Sequence, residues 1–386
     1  MKDFQFLQQK YLVNTYPNRQ LVLTKGEGMY LYDENGKKYL DMMSNYGVDI
    51  FGYNHSFLLE KLTGQLKKLS TLHCSFNNDT RALAAEALVK RCGGGLVQVY
   101  LSNSGTEAIE AALKFTVLAT GKKKFIACRN AYHGKTLGSL SATSEEKYRA
   151  PFEPLLWNFN HVSYGDSQEL EKAVDEKVAA FIVEPIQGEG GIVLPDKNYL
   201  TKVRKICDRT GILLVLDEIQ TGVGRTGYFL ASQKEKINYD IVCLGKGLAG
   251  GIPIGATLVS QKVAGKIPKL IHSSTLGGNP LACAGILAVL ELLNEKMLKR
   301  VRELGDSFLE QLREIRSPLV KEVRGRGLMI GLEIRDRRNE ILKQLQTNKI
   351  LAIPAGENVV RFLPSYIIES EHLDFVIDYL KKILRS

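Results

Sequence analysis

Long apolar stretches are missing from this chain. None of its 386 residues falls in an uninterrupted apolar run near the ~18 positions that a membrane-crossing helix requires. The opening MKDFQFLQQK has no apolar core of the kind that a secretory leader carries. Together these absences predict a cytoplasmic protein with no membrane partner. Histidine is scarce: there are six, and none stands in HExxH or another close metal pair, so a catalytic metal is not expected. The six cysteines (Cys74, Cys92, Cys128, Cys207, Cys243 and Cys283) are scattered without a CxxC pair, which indicates neither a zinc site nor a disulfide framework. Several lie inside apolar runs, where a free thiol behaves as a small hydrophobe. There is also no aromatic–basic repeat on which nucleic-acid bases would stack.

What is present is ordinary for a soluble enzyme: 44% hydrophobic and 24% charged residues. The length suffices for one large α/β domain and a smaller one. The net charge of +10 would suit an anionic metabolite, an acidic partner or nucleic acid. Most of it, however, is interspersed along amphipathic segments such as KLTGQLKKLS and KRVRELGDSFLEQLREI, which read as solvated helix faces. Two basic runs are more concentrated. Lys122, Lys123 and Lys124 are consecutive, and Lys262, Lys266 and Lys269 fall between Asp240 and Glu291, a stretch with no other acidic residue.

Residues 1–45 form an N-terminal segment in which DENGKKYL reads as a hairpin turn. A helical pattern over about 56–91 closes at the glycines 93–95. Short apolar runs then alternate with helical patterns: VQVYL near 97–101, FIAC at 125–128, AFIVE at 180–184, ILLVLD at 212–217, IVCL at 241–244 and IGATLVS at 254–260. This alternation predicts an α/β fold, a mostly parallel sheet covered on both faces, over residues 46–282. From 283 to 386 one long helix, then KEVRGRGLMIGLEI, VVRFLPSYIIE and a final helix predict a smaller α+β domain.

Two of the apolar runs end in chemistry. ILLVLDEIQ delivers Asp217 and Gln220, and IVCLGKGLAGG presents Lys246. Parallel sheets bind ligands outside the carboxyl ends of their strands. An amine and a carboxylate there suit an aldehyde cofactor with a ring nitrogen, the amine forming a Schiff base and the carboxylate keeping the nitrogen protonated. Alone, a lysine after a strand reads as a solvated loop charge; the glycines around Lys246 and its neighbouring motifs favour the chemical reading. In LSNSGTEAIEAALKF, Ser104 and Glu107 have capping-box spacing. Such a helix start either binds a phosphate or is simply a capped helix. Two other motifs fail. Gly222, Gly224 and Gly227 spell GxGxxG without a βαβ context, and Gly134-Lys135-Thr136 ends like a phosphate loop but has Arg129 where glycine is needed.

In order along the chain, NSGTEA, AYHGKT, EPIQGEGG, LDEIQTGVGRTG, GKGLAGGIPIGA and STLGGNP resemble the class III aminotransferases. These are pyridoxal 5'-phosphate enzymes of fold type I that work as homodimers with shared active sites. The resemblance runs from about Thr15 to the C-terminus. It is greatest to acetylornithine aminotransferases and extends to relatives acting on ornithine or on lysine precursors held by an acidic carrier protein. It implies that Lys246 forms the internal aldimine and shuttles the proton, and that Asp217 pairs with the pyridinium nitrogen. Gln220 would lie near the phenolic oxygen, Gly105 and Thr106 would donate to the phosphate beside Ser104, and Tyr132 would stack on the ring. Thr275 would reach the neighbouring subunit's phosphate, with Ser274 near the substrate. Arg361 would bind a substrate carboxylate with Glu189 as its switching partner, and Tyr16 would meet the substrate's distal end. One departure is Lys135, which stands where the family has an arginine for the other carboxylate. It keeps the charge and loses the bidentate geometry.

The resemblance thus implies transfer of the distal amino group of N2-acetylornithine to 2-oxoglutarate by a ping-pong route, in arginine biosynthesis. The alternatives are the carrier-bound lysine or ornithine precursors, ornithine δ-transamination, and a silent ligand-binding protein on the same fold. Intact Lys246 and Asp217 speak against the last.

Overall fold

The computed structural model describes residues 3–384. After a short helix, Phe4–Tyr11, strands β1 (Leu23–Glu27), β2 (Tyr30–Asp33) and β3 (Lys38–Asp41) form an antiparallel meander, with the expected DENGKK turn joining β2 to β3.

The sheet at the centre uses β4 (Leu96–Ser102), β5 (Lys124–Cys128), β6 (Asn158–Val162), β7 (Val178–Val183), β8 (Leu213–Asp217), β9 (Ile241–Leu244) and β10 (Gly255–Ser260). Their spatial order is β4-β10-β9-β8-β7-β5-β6. From β9 through β6 the neighbours run parallel, and β10 is antiparallel to both β9 and β4. All residues of β7, β8, β9 and β10 are buried. This explains why they read as unbroken apolar runs: both faces of the sheet are covered. Alternate residues feed two separate cores. Phe181, Leu214, Leu216 and Leu244 enter one, and Ile182, Leu213, Val215 and Cys243 the other. Strand β6 is different. It closes the edge with NFNHV, half in solvent, and for that reason leaves no apolar run in the sequence.

The long helix expected from 283 is two helices. Pro280–Leu292 packs on the helices Ser56–Lys68 and Asp79–Cys92 of the large domain, whereas Glu295–Arg313 packs on the C-terminal sheet and the last helix, Ser370–Ile383. The break falls where Asn294 caps the second helix, its Oδ1 accepting from Met297 N at 3.0 Å. Beyond it lie β11 (Val320–Arg326), β12 (Met329–Ile334), β13 (Ile350–Leu351), β14 (Ile353–Ala355) and β15 (Val359–Phe362). Four of these form the antiparallel sheet β11-β12-β15-β14 of the smaller domain. The fifth, β13, instead pairs in parallel with β3, setting Ile350 against Leu40 and Leu351 against Asp41. The end of the chain thereby completes the sheet begun at its start. Among the described residues no helix is long and apolar enough to cross a membrane.

Candidate active site

The carboxyl ends of β8 and β9 open into a cavity of about 480 Å³. Lys246 stands two residues beyond β9 in a short turn, Lys246–Ala249, with φ at 46°. The glycines beside it answer to close approach: a Cβ on Gly247 would lie 2.7 Å from Ile50 Cγ2, and one on Gly245 3.2 Å from Gly105 Cα. Burial draws the Lys246 amine below its ordinary pKa, opposed by the negative charges of Glu189 and Asp217.

Asp217 ends β8 and is held from two sides. Its Oδ1 accepts from Ile219 N at 3.0 Å, and its Oδ2 lies 2.7 Å from Nδ1 of the buried His133. The Nε2 of His133 finds no hydrogen-bond partner among the described residues. Glu184, also buried, completes a trio whose ligand-type atoms lie within 4.8 Å of one another. Burial pushes the Glu184 carboxyl well above the usual range, and the charge of Asp217 adds to it. The Glu184 Oε2 accepts from Gly188 N at 3.1 Å.

A second wall comes from the helix Gly105–Thr120. Ser104 caps it, its Oγ accepting from Glu107 N at 3.3 Å, but the reciprocal bond is displaced. The Glu107 carboxylate takes Asn103 N at 2.5 Å. Gly105 and Thr106 line the cavity where the helix begins. A Cβ on Gly105 would sit 2.8 Å from Ile219 Cγ2, and one on Gly134 only 2.3 Å from Thr106 Oγ1. The Thr106 hydroxyl is itself 2.6 Å from Ser139 Oγ and 2.9 Å from Thr136 Oγ1. Tyr132 also lines the cavity, its hydroxyl pushed up to about 12 by burial, with Glu189 and more distant groups contributing. Lys135 reaches the rim, exposed, with its Nζ 4.5 Å from the centre of the Tyr148 ring.

The third wall brings in the small domain. Arg361 of β15 has no solvent exposure. Its Nη1 is 2.7 Å from Glu189 Oε1 and donates to Gln220 Oε1 at 3.2 Å, while Nη2 donates to Pro354 O at 3.4 Å. Burial alone would raise the Glu189 carboxyl, but the Arg361 guanidinium outweighs it and holds it below the usual range.

The cavity therefore gathers Gly105, Thr106, Tyr132, Lys135, Glu189, Asp217, Gln220 and Lys246, with Arg361 behind Glu189. Besides Arg361, four residues singled out in the sequence are not among those lining it: Ser104, which caps the helix at Gly105, and Ser274, Thr275 and Tyr16. Ser274 Oγ accepts from Asn103 Nδ2 at 3.1 Å and from Gly277 N at 2.9 Å. Thr275 next to it is exposed. Tyr16, 82% exposed, lines a separate surface hollow, though its hydroxyl is close enough to add to the raised pKa of Tyr132. Conversely, His133 and Glu184, which stand inside AYHGKT and EPIQGEGG, line the cavity although the sequence reading gives them no role. Their spacing from Asp217 carries no local signal.

A family model for "Aminotransferase class-III" matches residues 11–384. The acetylornithine aminotransferase of Aquifex aeolicus is 42% identical over 97% of this chain and 100% of its own. The [LysW]-aminoadipate semialdehyde/glutamate semialdehyde transaminase of Sulfolobus acidocaldarius is 39% identical over 96% of each. Among solved structures, an ornithine aminotransferase from Toxoplasma gondii with pyridoxal phosphate in partial occupancy at its active site superposes with a TM-score of 0.93. It is 34% identical and covers 98% of this chain and 93% of its own.

The cavity fits that cofactor on its own terms. It offers a buried amine on Lys246, a carboxylate on Asp217, an aromatic ring on Tyr132, and a helix start at Gly105 where any larger side chain would meet Ile219. Helix N-termini of this kind bind phosphate through backbone N–H groups. The chain belongs to the class III aminotransferases, and its cofactor is pyridoxal 5'-phosphate.

Proposed function

We propose that this aminotransferase moves the distal amino group of N2-acetylornithine to 2-oxoglutarate, as a cytoplasmic homodimer in arginine biosynthesis. The observation that carries the reading is the 2.7 Å pair between Glu189 and the fully buried Arg361. One site must accept a donor with a distal amine and then a dicarboxylate. A carboxylate that covers the arginine for the first substrate and leaves it for the second meets both needs. The name of the Aquifex relative points to the same donor.

When bound, pyridoxal phosphate supplies an aldehyde for the amine and a ring that takes up electrons. In this reading Lys246 Nζ would hold the cofactor and, once the substrate amine has displaced it, would take the proton from the substrate carbon and give it back. Asp217, fixed by His133 and Ile219 N, keeps the ring nitrogen protonated. Gly105 and Thr106 would hold the phosphate, Tyr132 would stack on the ring and Gln220 would serve the phenolic oxygen. Lys135 takes the other substrate carboxylate as a point charge, and Tyr16 meets the donor's distal end. Ser274 and Thr275, outside the cavity of their own chain, serve the site of a second copy.

A second reading, a donor borne on an acidic carrier protein, is favoured by the name of the Sulfolobus relative and by the exposed Lys262, Lys266 and Lys269 close before Ser274. Steady-state kinetics with free and carrier-bound donors at low and high salt distinguish the two. Free N2-acetylornithine is expected to be the better substrate, with kcat/KM varying only mildly with salt. A large preference for the carrier, lost at high salt or on charge reversal of the three lysines, would overturn the choice.

A further inference from the structure

We propose that Arg324 is the positioning residue of the Glu189 loop and sets how readily Arg361 is uncovered. The inference rests on the Glu189–Arg361 reading above and deepens it.

The row of residues across the C-terminal sheet shows how. Arg324 on β11 faces Gly331 on β12, and Gly331 faces Arg361 on β15. Directly opposed residues point to one face of a sheet, and the loop from Gly188 to Ile192 lies against that face. Arg361 takes the loop's leading end through Glu189. Gly331 makes room for the middle: a Cβ there would be 3.1 Å from Ile192 Cβ. Arg324 takes the trailing end. Its Nη2 donates to Gly191 O at 2.7 Å, and its Nε to Gly191 O and Ile192 O at 3.1 Å each. Arg324 is itself fixed through Nη1, which is paired with Glu333 and lies 2.6 Å from Glu322.

The loop needs this hold. Gly191 has φ at +114° and Ile192, a β-branched residue, has φ at +55°. That conformation is strained for isoleucine and persists only where its surroundings impose it. Gly356 N adds one backbone bond, to Glu189 O at 2.7 Å. On another side Gly190 and Arg324 line a polar groove of about 810 Å³, which gives the loop open space to relax into. Weakening the Arg324 bonds therefore frees Ile192 to leave its strained conformation and lets the Glu189 carboxylate depart from Arg361 more often.

Lysine at 324 keeps the charge but cannot span both carbonyls. In R324K the half-reaction with glutamate should gain on that with the distal-amine donor by about fivefold. Glutarate, a dicarboxylate without the keto group, should bind more tightly in equilibrium dialysis, and the amides of residues 187–193 should exchange hydrogen faster. The same measurements on E189A and on the double variant separate the two levels. R324K should add nothing further once Glu189 is gone. If E189A leaves the half-reaction ratio unchanged, the gating reading fails and this inference with it. If E189A shifts the ratio and R324K does not, Arg324 is merely structural and the inference alone fails. Should R324K not fold, E333Q, which removes one partner of Arg324, must shift the ratio in the same direction by a smaller factor; no shift there overturns the proposal.

Discussion

His133 Nδ1 stands 2.7 Å from Asp217 Oδ2, and both side chains are closed off from solvent. The carboxylate is thus aimed from two sides, by the turn after its own strand through Ile219 N and by a group from another strand's loop. Replacing Asp217 with asparagine should leave the fold intact and reduce kcat by a factor of about 1,000 or more, because a neutral amide cannot keep a ring nitrogen protonated. His133→Ala should cost about 100-fold in kcat, the order expected when a reacting group loses its alignment, with KM little changed and Tm lowered by the lost buried contact. A His133 variant with full activity would show that Ile219 N alone suffices to aim Asp217.

Lys246→Ala should abolish transamination without unfolding the chain. Borohydride reduction followed by mass spectrometry gives a direct check: the native protein should gain the mass of the reduced cofactor, and the variant should not. Turnover by the variant at a comparable rate would remove Lys246 from the centre of the mechanism.

Glu184 makes a pH prediction. Its folded-state pKa is raised well above 4.5 by burial first and by Asp217 second. Below about pH 4 both folded and unfolded states hold the proton, and the group contributes nothing to stability. As pH rises past 4.5 the unfolded chain releases the proton more easily, so stability falls until the folded pKa is reached. Glutamine keeps an acceptor for Gly188 N and has no proton to lose. The Tm of Glu184→Gln should therefore equal the native value near pH 4 and exceed it at pH 8. Equal Tm values at both pH values would show that the carboxyl titrates normally.

The strands that build the site were legible because they are buried on both faces. Strands β8 and β9 could be read as apolar runs ending in Asp217 and Lys246. Strand β6 could not, since an edge strand half in solvent carries polar residues. The break at Asn294 left only a short signal, an N-cap asparagine followed by Glu295 within a long apolar and amphipathic stretch. Side-chain pairings across long separations left no trace. His133 and Asp217 are 84 residues apart, and Arg324 and Gly191 are 133 apart. Arg361 and Glu189 could be paired in advance only through the family resemblance. Ser274, Thr275 and Tyr16 do not line the cavity of the single chain; the expected place of Ser274 and Thr275 is the site of a second copy, and that of Tyr16 is the substrate's distal end.

The parallel pairing of β13 with β3 has a consequence in time. Leu40 N donates to Lys349 O and Met42 N to Leu351 O, and Leu363 N returns to Met42 O. On the ribosome the first sheet therefore waits for a strand made some three hundred residues later, roughly 15–60 s at ordinary elongation rates. A nascent chain that ends before residue 350 already contains Lys246, Asp217, His133 and the Gly105 helix, but lacks β13 and Arg361. The half of the cavity around Lys246 and Asp217 is synthesised first, and the arginine buried behind Glu189 arrives with the strands that close the molecule.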